Sequence, residues 1–166
     1  FEKHQNREIP LVQPQAGGEE GTEPEILRCA SERDEARRVA DWLEKRHVLC
    51  GHWSDMAVLC PTERSAKQLQ DVMTQRGVPF ATCFNREGKK AYSRRKDVVH
   101  LLTYQSSKGL EFPYVAVINA SFVPSGVADE SEVIPVLYVA FTRATRELLV
   151  TCYRENSISR HLEDFA

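Results

Sequence analysis

The 166-residue chain lacks the short signatures by which many enzymes are recognised. No G-x-x-x-x-G-K-[ST] phosphate loop is present. The nearest approach, Cys83 to Lys90, has Gly88-Lys89 but puts Cys83 where the first glycine belongs and Lys90 where a magnesium-binding hydroxyl is needed, so it cannot cradle phosphates in that way. G-x-S-x-G, H-E-x-x-H and G-x-G-x-x-G are also missing, which removes the conventional hydrolase, zinc-protease and dinucleotide readings. Long apolar runs are absent too. The longest, Val133 to Phe141, is interrupted by Pro135 and is about half of what a membrane-spanning helix requires. The sequence begins Phe-Glu-Lys-His, with neither an initiator Met nor a signal-peptide layout, so it reads as a piece of a longer protein.

Cysteine is present but unpatterned. Cys29, Cys50, Cys60, Cys83 and Cys152 form an odd set without C-x-x-C, and Cys29 and Cys60 close apolar runs. They read as reduced, mostly buried thiols. His47, Cys50, His52 and Cys60 are zinc-type ligands by chemistry, yet their spacing fits no closed four-ligand module, and no metal site is assigned. An excess of positive charge is missing as well: 22 Lys and Arg face 24 Asp and Glu, for a net charge of −2. A histone-like coating function is excluded, and any nucleic-acid contact must be local. Asp129-Glu130 resembles the acidic pair of a nucleotide hydrolase, but Pro124 and Gly126 just before it argue for a solvated loop.

What the chain does contain is an alternation of β and α patterns. Hydrophobic residues make up 42% of it, enough for a packed core of one domain. Residues 1–24, with Pro10, Pro14, Gly17, Gly18, Gly21 and Pro24, read as an extended lead-in, and residues 25–166 as the domain. Ile26 to Ala30 predicts a strand. Ser31 with Asp34 resembles a capping box before the stripe Ala36, Val39, Ala40, Leu43. Asp55 to Cys60 predicts a buried strand, followed by a helix with Ala66, Leu69 and Met73 inward and Gly77 as its stop. Further strands are expected at Val78 to Phe84, Val98 to Tyr104, Tyr114 to Asn119 and Glu147 to Tyr153. Helices are expected from Pro135, with Leu137, Ala140, Phe141 and Ala144 inward, and over Ser157 to Phe165. Uniformly apolar strands alternating with helices imply a doubly wound, mainly parallel α/β sheet whose ligands sit at the carboxyl ends of its strands.

Two segments stand out. Residues 98–118 run from an apolar strand through Thr103-Tyr104-Gln105-Ser106-Ser107-Lys108-Gly109-Leu110-Glu111 into another strand. Hydroxyl, amide, ammonium and carboxylate groups are expected together at a strand's carboxyl end. Residues 136–148 form an apolar helix with Thr142, Arg143 and Arg146 near its end. Arg143 suits stabilisation of a phosphate, because a guanidinium keeps its charge and presents a planar fork. The alternative is a helix-terminal charge interacting with the dipole and a neighbouring carboxylate.

Thr-Tyr-Gln-Ser-Ser-Lys-Gly-Leu-Glu-Phe-Pro-Tyr-Val and Leu-Tyr-Val-Ala-Phe-Thr-Arg-Ala-Thr-Arg-Glu-Leu resemble motifs V and VI of the UvrD/Rep-type superfamily-one DNA helicases. Ile26 to Phe80 is similar to the same family in layout. The resemblance implies a RecA-like (P-loop NTPase-type) fold and the C-terminal of two motor domains, with ATP and Mg2+ held mainly by the N-terminal one. It implies that Arg143 is the arginine finger on the γ-phosphate, that Glu111 reaches the nucleotide ribose, and that Lys108 and Gly109 shape the motif V turn. Thr103, Gln105 and Ser106 fall where the family contacts the single-stranded DNA backbone, and Tyr138 and Thr142 where the motif VI helix is supported.

This sequence departs from the family pattern at three places. Gln105 stands where His is usual. Glu132-Val133-Ile134-Pro135 replaces an acidic pair followed by two arginines. Only a short basic loop, residues 85–97, occupies the position of a large accessory insert. Its Arg86, Lys89, Lys90, Arg94, Arg95 and Lys96 suit a phosphodiester backbone, with Tyr92 and Phe84 for stacking; a solvated linker is the alternative. The implied function is the C-terminal motor half of an ATP-dependent DNA helicase or translocase, inactive as an ATPase alone. Its implied partners are an N-terminal RecA-like domain and single-stranded DNA, without a membrane, in a bacterial cytoplasm or nucleoid. A non-catalytic helicase-like scaffold in a repair or recombination complex is one rival. An unrelated Rossmann-like enzyme using Ser107-Lys108 or a thiol is another.

Overall fold

A computed structural model describes residues 22–85, 96–126 and 130–163. Six strands form one all-parallel sheet: β1 Glu25–Arg28, β2 Met56–Cys60, β3 Phe80–Thr82, β4 Val99–Thr103, β5 Phe112–Val117 and β6 Ala144–Cys152, in the order β1-β6-β5-β2-β4-β3. Helix α1 (Glu32–Cys50) and α2 (Lys67–Arg76) pack on one face, and α3 (Ile134–Phe141) and α4 (Ser157–Glu163) on the other. Two hydrophobic layers result, as expected of a doubly wound sheet of RecA-like type. Among the described residues no helix is long and apolar enough to cross a membrane.

Local signals account for the helix boundaries. Ser31 Oγ accepts from Asp34 N at 3.2 Å, and Asp34 Oδ2 accepts from Ala30 N at 3.1 Å, satisfying two backbone donors at the start of α1. Its stripe of Ala36, Val39, Ala40 and Leu43 is buried, each large aliphatic contributing about 1.5–3 kcal/mol over exposure. Gly51 and Gly77 close α1 and α2 in the left-handed region, the usual glycine stop. Arg46 on α1 pairs with Glu147 of β6 at 2.6 Å and lies 4.9 Å over the Trp42 ring.

Several predicted boundaries shift. β3 is confined to Phe80–Thr82, and β5 begins and ends two residues before the expected run. The motif VI helix stops at Phe141, so Ala144 and Arg146 lie on β6. The helix ends where Thr142 Oγ1 donates to Val139 O at 3.0 Å and Phe112 N donates to Arg143 O at 2.9 Å, drawing the chain into the sheet. Tyr138, expected as a support, is 68% exposed: Leu137 and Ala140 fill the inner face, leaving position 138 outside.

The thiols are as expected: Cys29, Cys60, Cys83 and Cys152 are buried, Cys50 is half-buried and no disulfide joins any of the five. Burial pushes the Cys29 and Cys60 thiols up to about 12, which makes them poor nucleophiles at neutral pH.

Candidate functional site

The segment linking β4 to β5, residues 104–111, has to recross the sheet, because both strands are parallel and flank β2. It is shorter than the crossover of about a dozen residues usual between parallel strands. The chain manages this with one tight turn on the α3/α4 face. Tyr104 is buried and its hydroxyl donates to Ile118 O at 2.6 Å, anchoring the turn to the far end of β5. Ser107 is fully buried, with Oγ donating to Tyr104 O at 2.6 Å. Gly109 has φ +82° with open space where a Cβ would point, so its requirement is backbone freedom alone. Gly109→Ala should therefore lower stability by about 1–2 kcal/mol without a packing defect, measurable as a urea-midpoint shift at unchanged m-value; an unshifted midpoint would contradict a strained turn.

This recrossing corrects the expectation that the polar groups gather at one strand end. Thr103, Gln105 and Ser106 lie at the carboxyl end of β4. Leu110 and Glu111 lie at the amino end of β5, with Lys108 and Gly109 between. Thr103 and Ser106 bond each other: Thr103 N donates to Ser106 Oγ at 2.8 Å, and Ser106 N to Thr103 Oγ1 at 3.0 Å. Gln105 is exposed at the tip, so among these three it presents the freest reach to solvent.

Arg143 joins the second group. It follows α3, whose carboxyl end points to the amino edge of the sheet. Its Nε donates to Val139 O at 2.9 Å, Nη1 to Leu110 O at 3.3 Å and Nη2 to Thr142 Oγ1 at 3.1 Å. All three acceptors are neutral. Among the described residues no carboxylate pairs with it, so the dipole alternative holds for the helix carbonyls but not for a carboxylate partner. The guanidinium is thus oriented on two elements and half-buried. Glu111 is exposed beside Leu110. The guanidinium fork can receive an anion, while the Glu111 carboxylate beside it can accept from a hydroxyl.

The remaining predicted residues separate. Lys89, Lys90, Arg94 and Arg95, with Arg86 and Tyr92, fall outside the described residues. Of the zinc-type ligands, Cys60 closes β2 at its carboxyl end and donates to Leu102 O at 3.2 Å. Cys50 and His52 precede its amino end, where His47 stacks on Trp53 at 3.8 Å. Among the described residues, no three His, Cys, Asp or Glu are grouped to hold a metal. One polar site went unread in the sequence: Glu35, on the buried side of α1, is 2% exposed. Its Oε1 accepts from Asn119 N at 2.9 Å and Thr151 Oγ1 at 2.7 Å. Its place one residue before Ala36, inside the capped first turn, was the available signal. Burial is the main cause that pushes its carboxyl up to about 7.

Residues 98–151, which contain both unusual segments, match the family model described as the UvrD-like helicase C-terminal domain. Among solved structures, the chain is similar to the C-terminal domain of a possible DNA helicase from Lactobacillus plantarum WCFS1: TM-score 0.64, 19% identity, over 84% of this chain and 79% of that one. It is also similar to the C-terminal part of the Fun30 ATPase domain, with TM-score 0.52 and 13% identity, over 80% of this chain and 45% of that one. No curated protein sequence matches the chain. The resemblance first visible in the two segments thus holds across 98–151, and the likeness of fold extends over most of the chain.

Proposed function

We propose that this chain is the second motor half of an ATP-dependent DNA helicase or translocase. The observation that carries the reading is Arg143: a guanidinium held by α3 and by the motif V turn, with neutral acceptors only among the described residues, on an open edge of the sheet. Such a group suits charge that develops on a phosphoryl group held by another domain. ATP with Mg2+ supplies the phosphoryl group and the free energy of its transfer. The chain carries no phosphate loop, so both would be held mainly by an N-terminal RecA-like domain.

In this reading Arg143 binds the terminal phosphate and Glu111 orients the ribose, both from the amino edge. Lys108 and Gly109 belong to the turn that joins that edge to Thr103, Gln105 and Ser106. Those three would face a single DNA strand at the carboxyl edge, with Lys89, Lys90, Arg94 and Arg95 adding backbone contacts. Tyr104, bonded to Ile118 O at the carboxyl edge, fixes that end of the turn, and Leu110 O meets Arg143 at the other. A shift of Arg143 on domain closure would therefore be passed to the strand-facing residues.

The isolated chain should hydrolyse ATP at no more than background rate, and hydrolysis should appear only in a protein that also carries the N-terminal motor domain. A phosphate-release assay on the purified chain checks this. Substantial turnover by the chain alone would overturn the reading and favour an enzyme with a complete pocket of its own.

A further inference from the structure

A helix leaves its last carbonyls short of backbone partners, and at the end of α3 one of them, Val139 O, is taken up by two side chains. Thr142 Oγ1 donates to it at 3.0 Å and Arg143 Nε at 2.9 Å. The same hydroxyl accepts from Arg143 Nη2 at 3.1 Å, so two side chains and one carbonyl close a circuit. A hydroxyl has one proton and two lone pairs. Here the proton is committed to Val139 O, which leaves a lone pair for Nη2. Outside the circuit, Nη1 donates at 3.3 Å to Leu110 O on the motif V turn.

A guanidinium is a flat group with five N–H donors. Three of these are engaged, one on each nitrogen, which leaves one on each terminal nitrogen for an acceptor from outside. Val139 O and Leu110 O are backbone atoms, but the third acceptor is a side chain. Without the Thr142 hydroxyl, Nη2 has no acceptor among the described residues, and the guanidinium is held only through Nε and the longer bond from Nη1. Thr142 is exposed, while Leu137 and Ala140 fill the inner face of α3. Position 142 therefore supplies a hydroxyl to Arg143 rather than packing to the helix.

We infer that Thr142 is the positioning residue of Arg143: its hydroxyl sets the plane of the guanidinium, so that the two remaining N–H groups are aimed before a phosphoryl group arrives. The inference rests on the reading of Arg143 as acting on that group. Donors fixed in advance need no reorganisation when charge develops, whereas a displacement of about 1 Å can cost a hundred-fold in rate. Thr142 itself touches no reacting atom and acts only through its neighbour.

Two measurements test it. In proton–nitrogen correlation spectra of the 166-residue chain, the Arg143 side-chain signals, identified by their loss in Arg143→Ala, should be separate and slow to exchange with water. Thr142→Val replaces the hydroxyl by a methyl group and should let the Nη protons interchange, while Thr142→Ser should hold them as in wild type. In a protein that joins this chain to the proposed N-terminal motor domain, Thr142→Val should lower kcat about ten-fold with KM for ATP unchanged, because the guanidinium contributes in the transition state. Thr142→Ser should recover most of that loss. Unaltered Arg143 signals in Thr142→Val would overturn the positioning role. So would a raised KM at constant kcat, which would make Thr142 a nucleotide contact. Full turnover in Thr142→Val beside an inactive Arg143→Ala would overturn the positioning alone, whereas full turnover in Arg143→Ala would overturn the reading of Arg143 and the positioning with it.

Discussion

Replacing Arg143 by alanine, in a protein that joins this chain to the proposed N-terminal motor domain, should lower ATP turnover by about 10³–10⁵-fold while ATP still binds. The expectation follows from position. In the proposed reading Arg143 acts on a group brought to its edge by another domain, and it contributes where charge develops rather than where the nucleotide is first held. Loss of the side chain should also lower stability, because three bonds to two carbonyls and a hydroxyl near a helix end are removed, at about 1 kcal/mol or more for each. A thermal melt beside the turnover measurement separates the two effects. Arg143→Lys is the informative control: it keeps charge but cannot span Val139 O, Leu110 O and Thr142 Oγ1 together, so most of the loss should persist. Full turnover in Arg143→Ala would remove the arginine-finger assignment. Retained biological activity with no ATP turnover in any variant would instead mark a helicase-like scaffold.

Glu35→Gln should flatten the pH dependence of stability between about pH 4.5 and 7. Burial raises the folded-state pKa of Glu35 from 4.5 to about 7, so the folded chain holds this proton more tightly than the unfolded one. The stabilisation is complete below pH 4.5, declines as pH rises through 7 and is then lost, a change on the order of 3 kcal/mol. Glutamine retains an oxygen to accept from Asn119 N and Thr151 Oγ1 and has no proton to lose. The variant should match wild type near pH 4.5 and exceed it above pH 7, measured as urea midpoints across that range. Parallel profiles for the two proteins would show that Glu35 is not the titrating group. Glu35→Leu is the converse case: it strands both donors, at about 1–3 kcal/mol each, and should destabilise the chain at every pH.

These two residues also show where sequence reasoning succeeds and where it stops. Arg143 is legible because motif VI places it within a few residues of its own helix, and its character is set by chain neighbours such as Val139 and Thr142. The partner that orients its other side, Leu110, is 33 positions away and comes only with the fold. Glu35 reads locally as one more acid in the first turn of an amphipathic helix. Its acceptor role depends on Asn119 and Thr151, 84 and 116 positions distant, and no periodicity carries that information. Gly109 and Tyr104 lie between these cases: the glycine marks a turn, but that the turn spans the whole sheet follows only from β4 and β5 being parallel neighbours of the same strand.

By itself, then, the sequence determined the α/β class, the cap and stripe of α1, the inward Leu69 and Met73 and the glycine stop of α2, the burial of Cys29 and Cys60, and the two segments that match UvrD-like helicase C-terminal domains. Each depends on residues a few positions apart, within reach of one helical turn or one strand. The tertiary structure alone decided the strand order β1-β6-β5-β2-β4-β3, the separation of Thr103 and Gln105 from Glu111 and Arg143 at opposite edges, the placing of Arg146 on a strand, and the burial of Glu35. Those outcomes depend on which distant segments share a sheet or a face, and that is settled by packing the whole core at once.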